Sequence, residues 1–504
     1  MRLRVNRLFS NRQVSRQEAK AQRTAKYGIT TTIEGWLFLR NLRNLRIMYF
    51  EDALSYLLSL GHETLTIKLG LQNTEKLLAA LGNPQKSFPS VQIAGTNGKG
   101  STAVMLESIC RAAKIPVGLF TSPHLISITE RIRLNGAQIS ETEFARLTER
   151  VKETAAGLVS QGELQTLPTF FEHVTAIALL AFQEANVDLA ILETGLGGRL
   201  DSTTAAGAQV VGITSIAMDH QEYLGNTLAE IAGEKAAIVQ RGVTAIVAPQ
   251  GEEARDVIAH RCSEVSVNPL WVGDAESERE SSASNLGPAH YRSRFRKALP
   301  GGRLCAAFEA PAGRYENVCL GLRGRHQITN AATAIALAEA LRERGFAIPD
   351  EAIVSGLENA RHAGRLELWD EVAPPILFDG AHNPAAAQVL RDYLDEFVHQ
   401  PITMIFGTMR DKALKEMATI LFPVANKIVL TPLENPRAAA LDELEAAAPA
   451  NLDRGKLVRA TSPDDAMRIA HEITESAGLI VVTGSLYLIG AAQESLIDVH
   501  QSTN

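Results

Sequence analysis

Apolar residues along this chain recur with two periods, and the points where one period yields to the other mark its elements. Over residues 49–60 they return at helical spacing, and a second helix is expected over residues 74–81, after the loop Lys68-Leu69-Gly70-Leu71-Gln72-Asn73. Short apolar runs at residues 91–94, 116–121, 188–194, 210–216 and 244–249 read as strands, each ending in glycine or polar residues. Residues 168–182 are apolar almost all round and predict a buried helix, and residues 331–341 an Ala-rich one. A polar tract at residues 274–297 reads as a surface insertion. Beyond residues 361–365 the pattern restarts, with PILFDGAHNP, TMIFGTM, KIVLTPL and LIVVTGS as four strand-to-turn transitions separated by helical stretches. The fold class expected is α/β: a P-loop-type, mostly parallel sheet domain over residues 48–362, then a smaller Rossmann-like α/β domain over residues 363–504.

Composition changes this picture little. At 504 residues the chain exceeds the usual limit of one core, which agrees with two domains. A net charge of −7 gives no electrostatic reason to expect nucleic acid, and no apolar run reaches the ~20 residues of a membrane helix. The four cysteines (Cys110, Cys262, Cys305, Cys319) are scattered without metal-ligand spacing and read as reduced thiols of a cytoplasmic protein. Residues 1–47 are the exception, with eleven Arg or Lys against Glu18 and Glu34 and no sustained hydrophobic period. They read as a transit peptide or as a basic extension outside the working protein, with Met48 as the true start.

Candidate chemistry gathers where strands end. VQIAGTNGKGST at residues 91–102 is strand, glycine-rich loop and helix start, a geometry that turns backbone N–H groups toward phosphate. Lys99 would face the outer phosphates and Ser101 or Thr102 a Mg²⁺ ion, although Gly100 stands where the common phosphate loop has its hydroxyl. Ser122 follows the second strand, where Ser-Pro alone is only a turn signal. Glu172 and His173 are the ionisable residues of an otherwise apolar helix; the carboxylate is either paired, bound to metal or neutralised, or else sits in an exposed first turn. Glu193 runs into a glycine-rich stretch, and His220 is equally a metal ligand or a core histidine. Thr227 to Glu230 has capping-box form, which puts Lys235 on the apolar stripe of the helix that follows. Its stem either snorkels outward or its amine is buried, with a lowered pKa or a phosphate partner.

Taken together, GTNGKGS, SPHL, Glu172 in FFEH, ETGLGGRLD, Asp219-His220, Gly233-Glu234-Lys235-Ala236, Gly364-Arg365 and DGAHNP resemble the folylpolyglutamate synthase/dihydrofolate synthase family of the Mur ligase superfamily. The resemblance covers nearly all the chain from Met48 onward. It implies an ATP- and Mg²⁺-dependent amide ligase that adds L-glutamate to folate or dihydropteroate through an acyl phosphate. These would be small-molecule partners of a monomer, with neither nucleic acid nor membrane. By the same resemblance Gly98, Lys99, Gly100, Ser101 and Thr102 hold the triphosphate, and Asn330, Arg365 and Asp379 contact ATP from across the cleft. Ser101, Ser122, Glu172 and His220 match metal-binding positions. Lys235 matches a lysine that the family carbamylates, and His382 shares the motif of Asp379 as a catalytic candidate. Gly70, Leu71, Gln72 and Asn73 match a pterin-contacting loop. Lys68 and Gln72 stand where bifunctional relatives can carry acids, which puts folate ahead of dihydropteroate as acceptor.

Overall fold

Val91, Ile93 and Ala94 have no exposed surface, so the strand that feeds the glycine loop is central rather than peripheral. The computed structural model describes residues 48–61, 70–274 and 290–502. The basic extension, Lys68, Leu69 and the middle of the polar tract lie outside them. The first sheet has eleven strands: β1 (Ser90–Ala94), β2 (Val117–Phe120), β3 (Ile132–Leu134), β4 (Ala137–Gln138), β5 (Leu189–Glu193), β6 (Val210–Ile213), β7 (Thr244–Val247), β8 (Leu270–Asp274), β9 (Tyr291–Ala298), β10 (Arg303–Ala310) and β11 (Gly313–Arg323). Their order is β11-β10-β9-β8-β7-β6-β1-β5-β2-β3-β4, parallel from β2 through β9 and antiparallel at both ends. Because β1 lies between β5 and β6, the chain leaves it in both directions. Ligands gather beside such a switch point, at the carboxyl ends of the strands.

Helices cover both faces of this sheet. They include α1 (Phe50–Ser59), α2 (Gln72–Ala80), α3 (Lys99–Ala112), α4 (Glu141–Ser160), α5 (Phe170–Glu184), α6 (Leu228–Ala236), α7 (His326–Glu343) and α8 (Asp350–Asn359). One core packs Ala103, Leu106 and Ile109 of α3 against Ile335 and Leu337 of α7 and Ile353 of α8. The opposite core packs Phe144 and Val151 of α4 against Val174 and Ile177 of α5 and Leu192 of β5. Glu172 caps α5 reciprocally with Thr169.

A second sheet follows: β12 (Glu367–Trp369), β13 (Ile376–Asp379), β14 (Ile402–Phe406), β15 (Lys427–Leu430), β16 (Leu457–Arg459) and β17 (Leu479–Thr483), in the order β12-β13-β17-β14-β15-β16. All its pairings are parallel except β12 with β13. Helix α9 (Pro384–Phe397) starts beyond β13 and α10 (Leu486–Ser502) beyond β17. Both lobes belong to one compact unit, Phe50–Asn504. They touch closely: a Cβ on Gly490 of α10 would lie 2.1 Å from the Leu125 carbonyl oxygen of the first lobe.

Two expectations are corrected. The end of the polar tract is not an insertion but β9, whose arginines alternate with the buried Tyr291 and Ser293 and therefore read as polar although the strand is paired on both sides. Cys305 and Cys319 are joined in a disulfide rather than reduced, because the turn between β10 and β11 sets them directly opposite each other. Cys110 and Cys262 are free and buried.

Candidate functional site

The glycine loop is held by contacts that leave no room for side chains. Gly95 has φ +150°, and a Cβ there would meet the Thr214 hydroxyl; Gly98 has φ +88°, and a Cβ would lie 2.5 Å from Asn330 Oδ1. Gly98 caps α3, so Lys99 to Thr102 form its first turn. Lys99 Nζ donates to the carbonyls of Gly95 at 3.2 Å and Thr96 at 3.3 Å. Lys235 Nζ, from α6, donates to the same Gly95 oxygen at 2.8 Å. Its residue is 4% exposed, so the stem does not snorkel. Burial lowers the Lys235 amine to about 7, and neighbouring Lys99 pushes it the same way. Burial also lowers Lys99, against the pull of Glu193 and Asp219. The hydroxyl of Thr102 is buried and finds no partner among the described residues.

Around this loop lie buried acids. Glu193, at the end of β5, accepts from the Ser122 N–H at 3.1 Å, and burial raises its pKa. Asp201 accepts from the N–H groups of Gly195 and Leu196, both at 2.9 Å, and so ties down the second glycine-rich stretch. Glu172 is buried and in the first helical turn at once: it accepts from Thr169 N at 2.7 Å and the Thr74 hydroxyl at 3.1 Å, both neutral donors. Burial disfavours the charge of Asp219, yet His382, His220 and Lys412 close by hold its carboxyl well below the usual range. His220, at φ +51°, is lowered to about 3 by burial and is neutral at pH 7.

The second lobe closes the site. Lys412 Nζ lies 2.7 Å from Asp219 Oδ1, and Asn383 Nδ2 donates to Asp219 Oδ2 at 3.2 Å and to Asn97 Oδ1 at 3.1 Å. His382 Nδ1 donates to the Gly380 carbonyl at 2.7 Å, leaving Nε2 3.6 Å from Asp219 Oδ2. Asp379 accepts from the N–H groups of Leu366 and Ala381, both at 3.0 Å, and Arg365 donates to Gly380 O at 3.3 Å. The linker between the lobes crosses the glycine loop, with His362 Nδ1 3.2 Å from Ser101 Oγ.

Between the lobes opens a cavity of about 710 Å³, within the range of small-molecule sites. Ser122, Glu172, His220 and His382 all reach its wall, as does Gly70; Leu71 precedes α2, while Gln72 and Asn73 form its first turn. No group of three His, Cys, Asp or Glu poised for a metal occurs among the described residues. The oxygens of Ser122 and Glu172 nonetheless suit Mg²⁺, which keeps several waters and needs only one or two carboxylates beside substrate phosphates. Sequence reasoning missed Lys412, Arg437, Asn383 and His362. Lys412 had a legible signal, since it follows the end of β14 as Lys99 follows β1.

Two family models match the chain: the Mur ligase middle domain over residues 93–338 and the Mur ligase glutamate ligase domain over residues 364–486. Dihydrofolate synthase/folylpolyglutamate synthase of Bacillus subtilis is 36% identical over 89% of this chain and 99% of its own length. The structure of Mycobacterium tuberculosis folylpolyglutamate synthase complexed with ADP and AMPPCP superposes with a TM-score of 0.78 at 31% identity, covering 88% of this chain and 98% of that one. The bifunctional enzyme of Yersinia pestis, complexed with AMPPNP and Mn ion, gives a TM-score of 0.74 at 27% identity over 89% and 98%.

Proposed function

The chain belongs to the folylpolyglutamate synthase/dihydrofolate synthase family of Mur ligases, and on that premise we propose that its cleft joins L-glutamate to the carboxylate of a folate, driven by ATP. One observation carries the reading: Lys99 and Lys235 converge on the Gly95 carbonyl, beside a cavity walled by both lobes. A carboxylate resists attack because its leaving group would be oxide. Transfer of the γ-phosphoryl of ATP to one of its oxygens gives an acyl phosphate; the α-amine of glutamate then forms the C–N bond, loses a proton, and phosphate leaves with the C–O electron pair.

This chain's residues divide the work between them. The N–H groups of Gly98 to Ser101, the Thr102 hydroxyl and the Lys99 amine receive the triphosphate, with Asn330 bracing the loop and Arg365 and Asp379 facing the nucleotide from the second lobe. Ser101, Ser122, Glu172 and His220 would hold Mg²⁺, which supplies charge neutralisation for the transferred phosphoryl group. Lys412 and Arg437, both on the cavity wall, offer cations to the two carboxylates of glutamate. His382, its Nδ1 committed to Gly380, turns Nε2 toward the amine that must lose a proton. The neutral amine of Lys235 adds to CO₂, forming an N–C bond and releasing a proton; the carbamate replaces a cation crowded by Lys99 with an anion that Lys99 attracts. Gly70 to Asn73 border the pterin end. The working unit in this reading is a cytoplasmic monomer.

Purified protein given ATP, Mg²⁺, labelled glutamate and either tetrahydrofolate or dihydropteroate should form ADP and a glutamylated product in equal amounts, faster with tetrahydrofolate. ATP turnover indifferent to glutamate and to both acceptors would refute the ligase.

A further inference from the structure

His362 sits on the linker between the lobes, yet its imidazole lies on the first turn of α3. Its Nδ1 is 3.2 Å from Ser101 Oγ, and Gln327 Nε2, from α7, is 3.3 Å from the same oxygen. A hydroxyl has one proton to donate and two lone pairs. Gln327 can only donate through that nitrogen, so it takes one lone pair. The hydroxyl proton is then available to His362 Nδ1, which lies 3.2 Å away and accepts it when the ring carries its own proton on Nε2. One lone pair of Ser101 is left over, and no proton. Such an oxygen can ligate a cation but cannot donate to a phosphate.

The packing agrees. A Cβ on Gly100 would stand 2.7 Å from His362 Cε1, so the glycine between Lys99 and Ser101 is what admits the ring. The departure from the common phosphate loop is thereby explained by a neighbour 262 positions away in sequence.

We propose that His362 is a positioning residue that takes the Ser101 hydroxyl proton and so presets Ser101 as a ligand for the divalent cation that accompanies the nucleotide, tying that ligand to the inter-lobe linker. The inference rests on the nucleotide site proposed above. Outer partners of metal ligands are typically worth tenfold to a hundredfold in metal affinity.

The test is calorimetric binding of ADP to the intact protein with Mg²⁺ and with EDTA. His362→Phe keeps the ring's bulk and removes the acceptor; it should lose about tenfold in the Mg²⁺-dependent part of the affinity, with ADP binding in EDTA unchanged. His362→Asn, which keeps an acceptor, should recover most of the loss. His362→Leu, which lacks both ring and acceptor, should lose Mg²⁺ dependence as His362→Phe does and keeps the test open if that variant folds poorly. Unaltered Mg²⁺ dependence in either disruptive variant, or an equal loss with and without the metal, overturns the proposal. A wild-type protein that binds no ADP at all would instead sink the nucleotide site itself.

Discussion

Lys412 and Asp219 meet across the cleft, amine to carboxylate at 2.7 Å, with side chains only 10% and 7% exposed. Water is largely excluded from this pair, so each charge depends on the other. Removing one partner of such a pair strands the second, a cost of roughly 3–5 kcal/mol in buried settings. Lys412→Met and Asp219→Asn should each lower the urea midpoint and reduce ligation at least a hundredfold. The double variant should be less destabilised than the sum of the two; strict additivity would mean the pair does not couple the lobes.

Lys235 carries the clearest pH signature. Its amine is neutral only above about 7, so carbamate formation from CO₂ should rise as pH climbs through that value and fall below it. Protein equilibrated with ¹³C-bicarbonate at pH 8 should show one carbamate resonance by NMR that fades toward pH 6 and is missing from Lys235→Ala. Lys235→Ala should fold normally and lose ligation; near-normal turnover would remove the carbamate from the mechanism.

Asn383 has two roles that one substitution can separate. Its Oδ1 caps α9 through the Ala386 N–H at 2.9 Å, while its Nδ2 reaches Asn97 and Asp219. Asn383→Ser keeps a capping oxygen and drops the bridge, so it should melt within a few degrees of wild type while kcat falls. Asn383→Ala loses the cap as well, worth about 1 kcal/mol more. Equal activity in Ser and Asn forms would show the bridge to be incidental.

His173 predicts acid sensitivity. Its Nδ1 donates to the Thr169 carbonyl at 3.1 Å and its Nε2 lies 3.0 Å from the Tyr56 hydroxyl, partners that satisfy the neutral ring. Burial holds its pKa at about 4. Above pH ~6.5 neither folded nor unfolded chain is protonated there. As pH falls from ~6.5 to about 4 the unfolded chain takes up a proton that the folded ring refuses, and stability drops by on the order of 3 kcal/mol. His173→Leu should flatten the stability profile over that window, as measured by denaturant titration at each pH.

What the residues disclosed in advance has a physical pattern. The glycine loop, the place of Lys235 on an apolar face and the strand-end acids were legible because local spacing sets which way each side chain points: the capping box at Thr227 fixed the face on which Lys235 falls, though not whether its stem snorkels. Pairings between distant segments left no such trace. Nothing near Asp219 announces Lys412, and nothing near Ser101 announces His362. Strand β9 was hidden because its arginines face outward although the strand is paired on both sides, and such alternation resembles a solvated loop. The bond between Cys305 and Cys319 was hidden because only the register of β10 and β11 brings them together.

Gly490 sets how near the two halves can come. With a helix backbone resting directly on the Leu125 carbonyl, the thickness of a single methyl group is all that separates a seated hinge from a wedged one. Alanine at 490 would act as a shim, leaving each half intact while holding Lys412 and Asp219 out of each other's reach.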